Sequence, residues 1–384
     1  MAMRVFMHDE VGARSAGISG TEDVLMSKDG ALTGAPTLNG VPLATAPVGG
    51  INLSPTSTPP TGYAATGTIV TRSLPFVLNV GSAPFATMAN LASAYVGDFC
   101  YKFGGNTGAA SVATSQSWNM RTRVATTIAG LPFGSEQAAA ASDGGNYIYI
   151  AGGFNISGST YQSQLFRYDI AGNVITTLGA MPAVRAKHCM VYYAGKLYVF
   201  GGQNGTPAFI GNTWIYDIVS DTWSALGAAI PTNRIFCRAA ILGSKVYVTG
   251  GNTTLATVAP SALNECYDIL TDSWTTKAPM PIAVTQHQAV GYGTLAHNCG
   301  GAINNAGAFR AVQYSQVYDS VSDSWFLDMP LQVPRASGGI GLYNNGSNIE
   351  IAVYCGFDQG MSTRQGTLDL GYMPTTPSYV IVKL

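Results

Sequence analysis

The chain has 384 residues, 46 of them glycine, with 10% charged residues and a formal net charge of -1. That balance gives no electrostatic case for a nucleic-acid partner or an anionic membrane surface. A hydrophobic content of 47% suits a large buried core and excludes a wholly disordered chain.

At the start, MAMRVFMHDEVGARS places His8, Asp9 and Glu10 where a secretory leader needs an apolar run. No stretch approaches the ~18 uninterrupted apolar residues of a membrane helix. The expectation is synthesis in the cytoplasm with no signal peptide and no membrane insertion. Residues 1–65 are expected to form an extended, mostly irregular arm. Their stretch ALTGAPTLNGVPLATAPVGGINLSPTSTPPTGY is rich in Gly, Pro, Ser and Thr, and alone it cannot bury enough surface to offset its ordering entropy. The phrase DGALTGAPTLNGVPLAT resembles the attachment segments of bacteriophage tail-fibre and related virion proteins. That resemblance implies an arm that docks on other virion proteins. Residues 66–85 follow, as a linker or as a strand belonging to the next region.

From residue 86 the sequence repeats. Apolar runs end in Gly pairs at Gly104-Gly105, Gly152-Gly153, Gly201-Gly202, Gly250-Gly251 and Gly300-Gly301, in steps of 48, 49, 49 and 50 residues. A sixth copy, IEIAVYCGF, carries Cys355-Gly356 at the corresponding place. After the five pairs come Trp118-Asn119, Tyr168-Asp169, Tyr216-Asp217, Tyr267-Asp268 and Tyr318-Asp319, and Trp223, Trp274 and Trp325 lie six residues past the last three. Leu131-Pro132, Met181-Pro182, Ile230-Pro231, Met280-Pro281 and Met329-Pro330 then close five copies. Each copy holds four short strand candidates; in the fourth they are CRAAIL, KVYVTGG, NECYDI and SWTTKA.

One such sheet cannot cover both its faces. Packing six of them around an axis does so and leaves no long open edge. The expected fold is therefore all-β, a six-bladed β-propeller over residues 86–384 behind the N-terminal arm. The order apolar run, Gly-Gly, spacer, Tyr-Asp, Trp resembles the Kelch repeat. The resemblance weakens at the ends. The first copy has Trp118-Asn119 in place of Tyr-Asp, the second has Ile175 where Trp belongs, and the sixth keeps neither pair clearly. Terminal copies of repeat arrays are commonly atypical. The fourth strand of the last blade comes either from SYVIVKL at the C-terminal end or from TIVTRSLPFVLNV (68–80); the sequence does not choose.

Little in the chain points to chemistry. Cys100, Cys189, Cys237, Cys266, Cys299 and Cys355 are scattered without a C-x-x-C, so buried free thiols are expected. His8, His188, His287 and His297 fall into no metal-ligand spacing, such as a galactose-oxidase-like copper site needs, and neither metal nor cofactor is expected. VSDTW (219–223) and VSDSW (321–325) lack the Gly of a sialidase Asp-box, and their Asp is expected to bond nearby backbone amides in a tight turn. Six-bladed Kelch enzymes exist among bacterial sialic-acid mutarotases, which keeps a sugar isomerase open as an alternative. Glu136 and His287 are then its acid–base candidates, although no nucleophile or acid–base constellation is recognisable.

Binding is the better lead. In a four-stranded meander, the loop after the second strand and the loop to the next blade emerge on one face. Long loops on a rigid frame commonly carry binding. Here they are QNGTPAFIGN, NTTLATVAPSALN and AINNAGAFRAVQYS, with Gln203, Asn204, Phe209 and Phe309 as candidate contacts. The interblade loops place Arg185 and Arg234 three residues past their Pro and Arg335 five past its counterpart, with His287 in the same neighbourhood. A guanidinium fork suits carboxylates, so an acidic sugar or acidic peptide is one expected ligand class. The other reading has these arginines bracing loops through backbone carbonyls. The leading expectation is a non-enzymatic bacteriophage structural protein of fibre or decoration type, residing in the virion as a homo-oligomer. Its propeller would face a host glycan or protein. A Kelch interaction module inside a cell and a carbohydrate-active propeller enzyme are the alternatives.

Overall fold

The structure, a computed structural model, describes residues 86–205, 209–254, 259–328, 330–344, 348–361 and 368–374, together with short strands ahead of them. The chain divides into two units, Met1–Phe76 with Met373–Leu384, and Val77–Tyr372. In the first unit, Arg4–Asp9 pairs antiparallel with Gly12–Ala16 and parallel with Asp23–Met26, and Thr37–Leu38 pairs with Val41–Pro42. The arm thus opens with a small sheet that its turn-rich composition did not announce. The remainder of the expected arm lies outside the described residues.

The second unit is a ring of six four-stranded antiparallel sheets, here blades 1 to 6 in chain order. Their innermost strands are Ala92–Val96, Ala139–Ser142, Cys189–Tyr193, Arg238–Leu242, Gln288–Tyr292 and Gly339–Asn344. Blade 4 shows why the repeat folds this way. Arg238–Leu242, Lys245–Thr249, Asn264–Asp268 and Ser273–Thr276 pair in sequence order. The second strand, KVYVT, is apolar at successive positions because both its faces are covered. Val246 and Val248 pack with Val191 and Phe200 of blade 3, while Tyr247 packs with Ala296 and Tyr318 of blade 5. All six cysteines are buried free thiols.

Blade 6 takes its outer strand from the N-terminal side. Leu78 and Asn79 pair antiparallel with Leu370 and Asp369. Of the two ways to close the ring, TIVTRSLPFVLNV supplies the strand, and SYVIVKL lies outside the described residues.

The repeated Tyr, Asp and Trp latch blades 3, 4 and 5 each to the one before it. Asp217 Oδ1 accepts the local turn amides of Val219 and Ser220 at 3.0 and 3.1 Å. Asp221 reaches further, accepting the Gly179 amide of the preceding blade at 2.7 Å and the Tyr216 hydroxyl. Trp223 donates its indole N–H to the Gly179 carbonyl at 2.8 Å. Trp274 and Trp325 repeat this on Ala228 and Ala278 at 2.8 and 2.7 Å. The Asp of VSDTW is therefore an interblade acceptor, and the local turn belongs to the Asp four residues earlier. That is a correction to the turn expected from sequence.

Candidate binding face at the channel mouth

The Gly pairs build the joint that positions the mouth. Gly201 and Gly202 have φ of 64° and 96°, a region open to glycine and costly for other residues. A Cβ on Gly201 would lie 2.6 Å from the Arg234 carbonyl oxygen, and one on Gly202 2.7 Å from that of Ala186. The chain can therefore pass directly under the next blade, where the Gly202 amide donates to the Arg234 carbonyl at 3.0 Å. The same bond recurs around the ring: Gly105 to Ser135, Gly153 to Arg185, Gly251 to Val284, Gly301 to Arg335 and Gly356 to Met88.

At this joint stand the three predicted arginines, and all three are fully buried. Arg185 donates to the Asn212 carbonyl at 3.1 and 3.2 Å and lies 3.7 Å over the Trp214 ring. Burial pushes it down to about 9, with the Cys189 and Cys237 thiols opposing. Arg234 pairs with Glu265 and donates to the Thr232 and Val248 carbonyls at 2.9 and 2.8 Å. Arg335 pairs with Asp369 at 2.6 Å and donates to the Cys355 carbonyl at 3.1 Å. None of the three has surface open to solvent, and Arg185 and Arg234 bond inside the ring through their terminal nitrogens, Arg335 through Nε and one terminal nitrogen, the contacts that a brace makes. They do not converge on an open channel mouth. His287 is likewise fully buried, its Nε2 3.0 Å from the Thr249 hydroxyl. Burial first, and then Arg238, hold its pKa down to about 3, so the ring is neutral.

The loop candidates are spread over blades 3 and 5. Gln203 is buried and donates to the Tyr161 hydroxyl. Asn204 and Phe209 are half-buried, and the backbone of Phe209 bridges that of Gln203. Phe309 lies on the short hairpin Ala302–Asn305 with Ala308–Ala311, packed on Ala302, Ala311 and Ala336. Glu136 is buried but close to the mouth, accepting from Asn90 at 3.2 Å and Gln137 at 3.0 Å.

Two residues beyond each buried arginine the structure places the residues that sequence reasoning missed. Asn90, Gln137, Lys187, Phe236, Gln286 and Ser337 occupy one position in the six blades, and all have left-handed backbone with φ between 55 and 60°. Their amides and carbonyls form a closed circle. Gln137 donates to Asn90 at 2.7 Å, Lys187 to Gln137 at 2.9 Å and Phe236 to Lys187 at 2.8 Å. Gln286 donates to Phe236 at 3.1 Å, Ser337 to Gln286 at 2.7 Å and Asn90 to Ser337 at 2.8 Å. The main chain is thereby satisfied, and side chains of several kinds stand where the interblade loops turn into the innermost strands. Asn90, Gln137, Lys187 and Phe236 are partly exposed. The Lys187 ammonium lies 5.2 Å from the Phe236 ring centroid. Burial lowers the Lys187 pKa and Glu136 opposes that shift. The available signal was the offset from Arg185, Arg234 and Arg335. Its residues run from carboxamides and a serine to a lysine and a phenylalanine, so no single residue type marked them.

Blades closed by Gly-pair joints, Tyr–Asp–Trp latches and a shared mouth define a Kelch-type propeller. The KLHDC2/KLHL20/DRC7 Kelch-repeats domain matches residues 138–332. The chain belongs to the Kelch-repeat family. Alpha-scruin of Limulus polyphemus is 26% identical over 204 residues, 50% of this chain and 22% of that protein. Kelch-like protein terF of Aspergillus terreus is 29% identical over 196 residues, 48% of this chain and 42% of that one. Kelch repeat and BTB domain-containing protein 8 of Homo sapiens is 28% identical over 180 residues, 44% of this chain and 27% of that one. Each alignment spans less than half of the relative's own length. The solved structure of YjhT superposes with a TM-score of 0.64 at 17% identity, over 79% of this chain and 99% of that one, a likeness of fold.

Proposed function

We propose that this propeller is a non-enzymatic interaction module that binds its partner at the mouth face, carried on a bacteriophage particle by the segment ahead of it. The observation that carries the binding reading is the six-residue circle. Its backbone is fully engaged, so the partly exposed side chains of Asn90, Gln137, Lys187 and Phe236 are free to differ without disturbing the ring. A face built so that the frame is constant and the side chains vary suits recognition. The virion setting is supported by the composition of residues 1–65 and their likeness to fibre attachment segments.

Two measurements test this. Mass spectrometry of purified particles is expected to find the chain, and its absence removes the virion setting. Binding of the full chain to host cells or to a glycan array is expected to fall on Lys187→Ala and Phe236→Gly. Unchanged binding by both moves the contact away from the mouth. The second reading, a Kelch interaction module inside a cell, is favoured by the named Kelch relatives, and it gains if the chain is missing from particles while the mouth variants still lose a protein partner.

A further inference from the structure

The joint between blades 3 and 4 carries a cysteine on each side. Cys189 stands two residues past Lys187 of the mouth circle, and Cys237 one residue past Phe236. The corresponding positions of the joints on either side hold Ala139 with His188, and Arg238 with His287. The two sulfurs lie 3.8 Å apart, a thiol–thiol hydrogen bond from blade to blade. Cys189 Sγ also reaches the Phe200 carbonyl at 3.7 Å. Cys237 Sγ sits where Gly201 has no side chain, and a Cβ there would lie 3.1 Å from it. Both cysteines belong to one apolar cluster with Phe200, Ile230 and Val248.

Cys189 also lines the channel, where a cavity of about 270 Å³ lies. That is far more than the roughly 15 Å³ that one water needs, and hydrogen peroxide is little larger than water. Cys237 has no exposed surface and stands behind Cys189 in the joint. Two thiols that share a hydrogen bond titrate as a pair. The thiol that donates stabilises the thiolate that accepts, so the first proton leaves more readily than from a lone buried thiol and the second only with difficulty. The guanidiniums of Arg234 and Arg238 favour the thiolate further. Cys355, by contrast, is pushed up to about 12 by burial. A thiolate beside a second thiol is the arrangement that oxidises to a disulfide.

We propose that Cys189 and Cys237 form an oxidation site, at which a small peroxide admitted by the channel closes a disulfide that locks blade 3 to blade 4. The shared proton lets Cys189, the sulfur on the channel side, act as the attacking thiolate. Its sulfur bonds to one peroxide oxygen as the O–O bond breaks, which leaves a sulfenic acid, and the departing hydroxide takes up a proton to become water. The Cys237 sulfur then attacks that sulfur. The S–S bond forms, the S–OH bond breaks, and the hydroxide leaves with the Cys237 proton as a second water. The two thiols lose two electrons and the peroxide gains them. Closing from 3.8 Å to the roughly 2 Å of a disulfide asks for a small side-chain movement, beside a glycine that keeps the space clear. The site rests on the thiol pair and not on the mouth or virion readings.

The test gives the reduced full chain hydrogen peroxide in slight excess at pH 7, alkylates the remaining thiols in denaturant and reads a tryptic digest by mass spectrometry. Trypsin releases His188–Lys196 and Ile235–Arg238. These two peptides joined by a disulfide are the expected product, with Cys100, Cys266, Cys299 and Cys355 recovered alkylated. The thermal midpoint of the oxidised chain is expected to rise by several degrees, because a cross-link restricts the unfolded chain, and to return on reduction with dithiothreitol. Cys237→Ala removes the second thiol, and dimedone is then expected to label Cys189 as its sulfenic acid. Both cysteines recovered alkylated, both carried on to sulfinic or sulfonic acid, or a cross-link that forms only after unfolding in urea overturns the proposal. A disulfide that leaves the midpoint unchanged overturns the lock, and a folded Cys237→Ala variant that takes no label overturns Cys189 as the attacking sulfur. Should Cys237→Ala fail to fold, the digest and midpoint of the parent chain decide.

Discussion

The hydroxyl of Tyr267 donates to Asp272 at 2.7 Å, and the same carboxylate oxygen accepts the amide of Ala228 in the preceding blade at 2.6 Å. One carboxylate thus joins a buried ring of its own blade to the backbone of its neighbour, as Asp323 does with Tyr318 and Ala278 at 2.6 and 2.9 Å. Burial and the adjoining Asp272 carboxylate both raise the Tyr267 pKa, so the phenol remains a donor throughout the physiological range. Tyr267→Phe is expected to lower unfolding free energy by about 1 kcal/mol, the typical net worth of one hydrogen bond. Trp274→Ala, which also loses packing against Phe200, is expected to cost about 3 kcal/mol. Urea midpoints measure both. Equal costs for the two would mean that the latch hydroxyl does more than one bond's work.

How much of this was legible in the sequence follows from what each residue does. Gly201-Gly202 and Trp223 repeat because one geometry repeats, and a required geometry leaves a fixed residue type. The blade count and the four strands per blade were therefore readable. Arg185, Arg234 and Arg335 were readable as a repeated position, but a repeated arginine can brace or bind, and only its burial separates the two. The mouth circle was opaque for the opposite reason. Its constant feature is a left-handed backbone with its N–H and C=O paired, which Asn90, Phe236 and Lys187 all adopt, so no residue type reports it.

Phe236 is a bulky aromatic held at φ 55°, a conformation that costs a side chain about 1–2 kcal/mol relative to glycine. Phe236→Gly keeps the N–H and C=O that close the circle and removes this cost, against the loss of a half-buried ring. The variant is expected to unfold within about 1 kcal/mol of the parent while losing affinity at the mouth, because the surface under Lys187 is gone. Calorimetry and a binding isotherm on the same sample separate the two effects. A large loss of stability would make the phenyl ring a structural wedge.

Two buried imidazoles make stability depend on pH. His188 and His287 are both held down to about 3, by burial first and then by nearby guanidiniums, Arg185 and Arg238 for His188 and Arg238 and Arg234 for His287. Unfolded histidine takes its proton near pH 6.5. Below that pH the unfolded chain binds protons that the fold refuses, so the contribution is complete above about 6.5 and is lost as pH falls toward about 3. Urea midpoints at pH 7.5 and 5 are expected to differ by more in the parent than in a His188→Gln, His287→Gln variant. Parallel slopes would mean that carboxylates alone set the acid limb.

Closure of the ring by Leu78 and Asn79 against Leu370 and Asp369 gives a sharp truncation test. Removing residues 1–65 is expected to leave the propeller's thermal midpoint in place and to abolish incorporation into particles. Removing residues 1–80 takes the outer strand of blade 6 and exposes an edge, with lower stability and a tendency to associate. Equal midpoints for the two truncations would show that the closing strand adds nothing.

The buried pair of Arg234 and Glu265 offers the strongest single test of the bracing role. Glu265 also accepts from the Thr232 hydroxyl at 2.9 Å, so its carboxylate collects a side chain of the interblade loop as well as the guanidinium. Removing one charge from such a pair strands the other in a low-dielectric interior, which typically costs about 3–5 kcal/mol. Glu265→Ala is therefore expected to be severe. Replacing both partners together, Arg234→Met with Glu265→Leu, removes the stranded charge and is expected to recover most of the loss. If the double variant folds stably and still binds at the mouth, Arg234 acts as a brace. If it folds stably and binding vanishes, the guanidinium supports the ligand as well as the loop, a distinction that neither single variant can make.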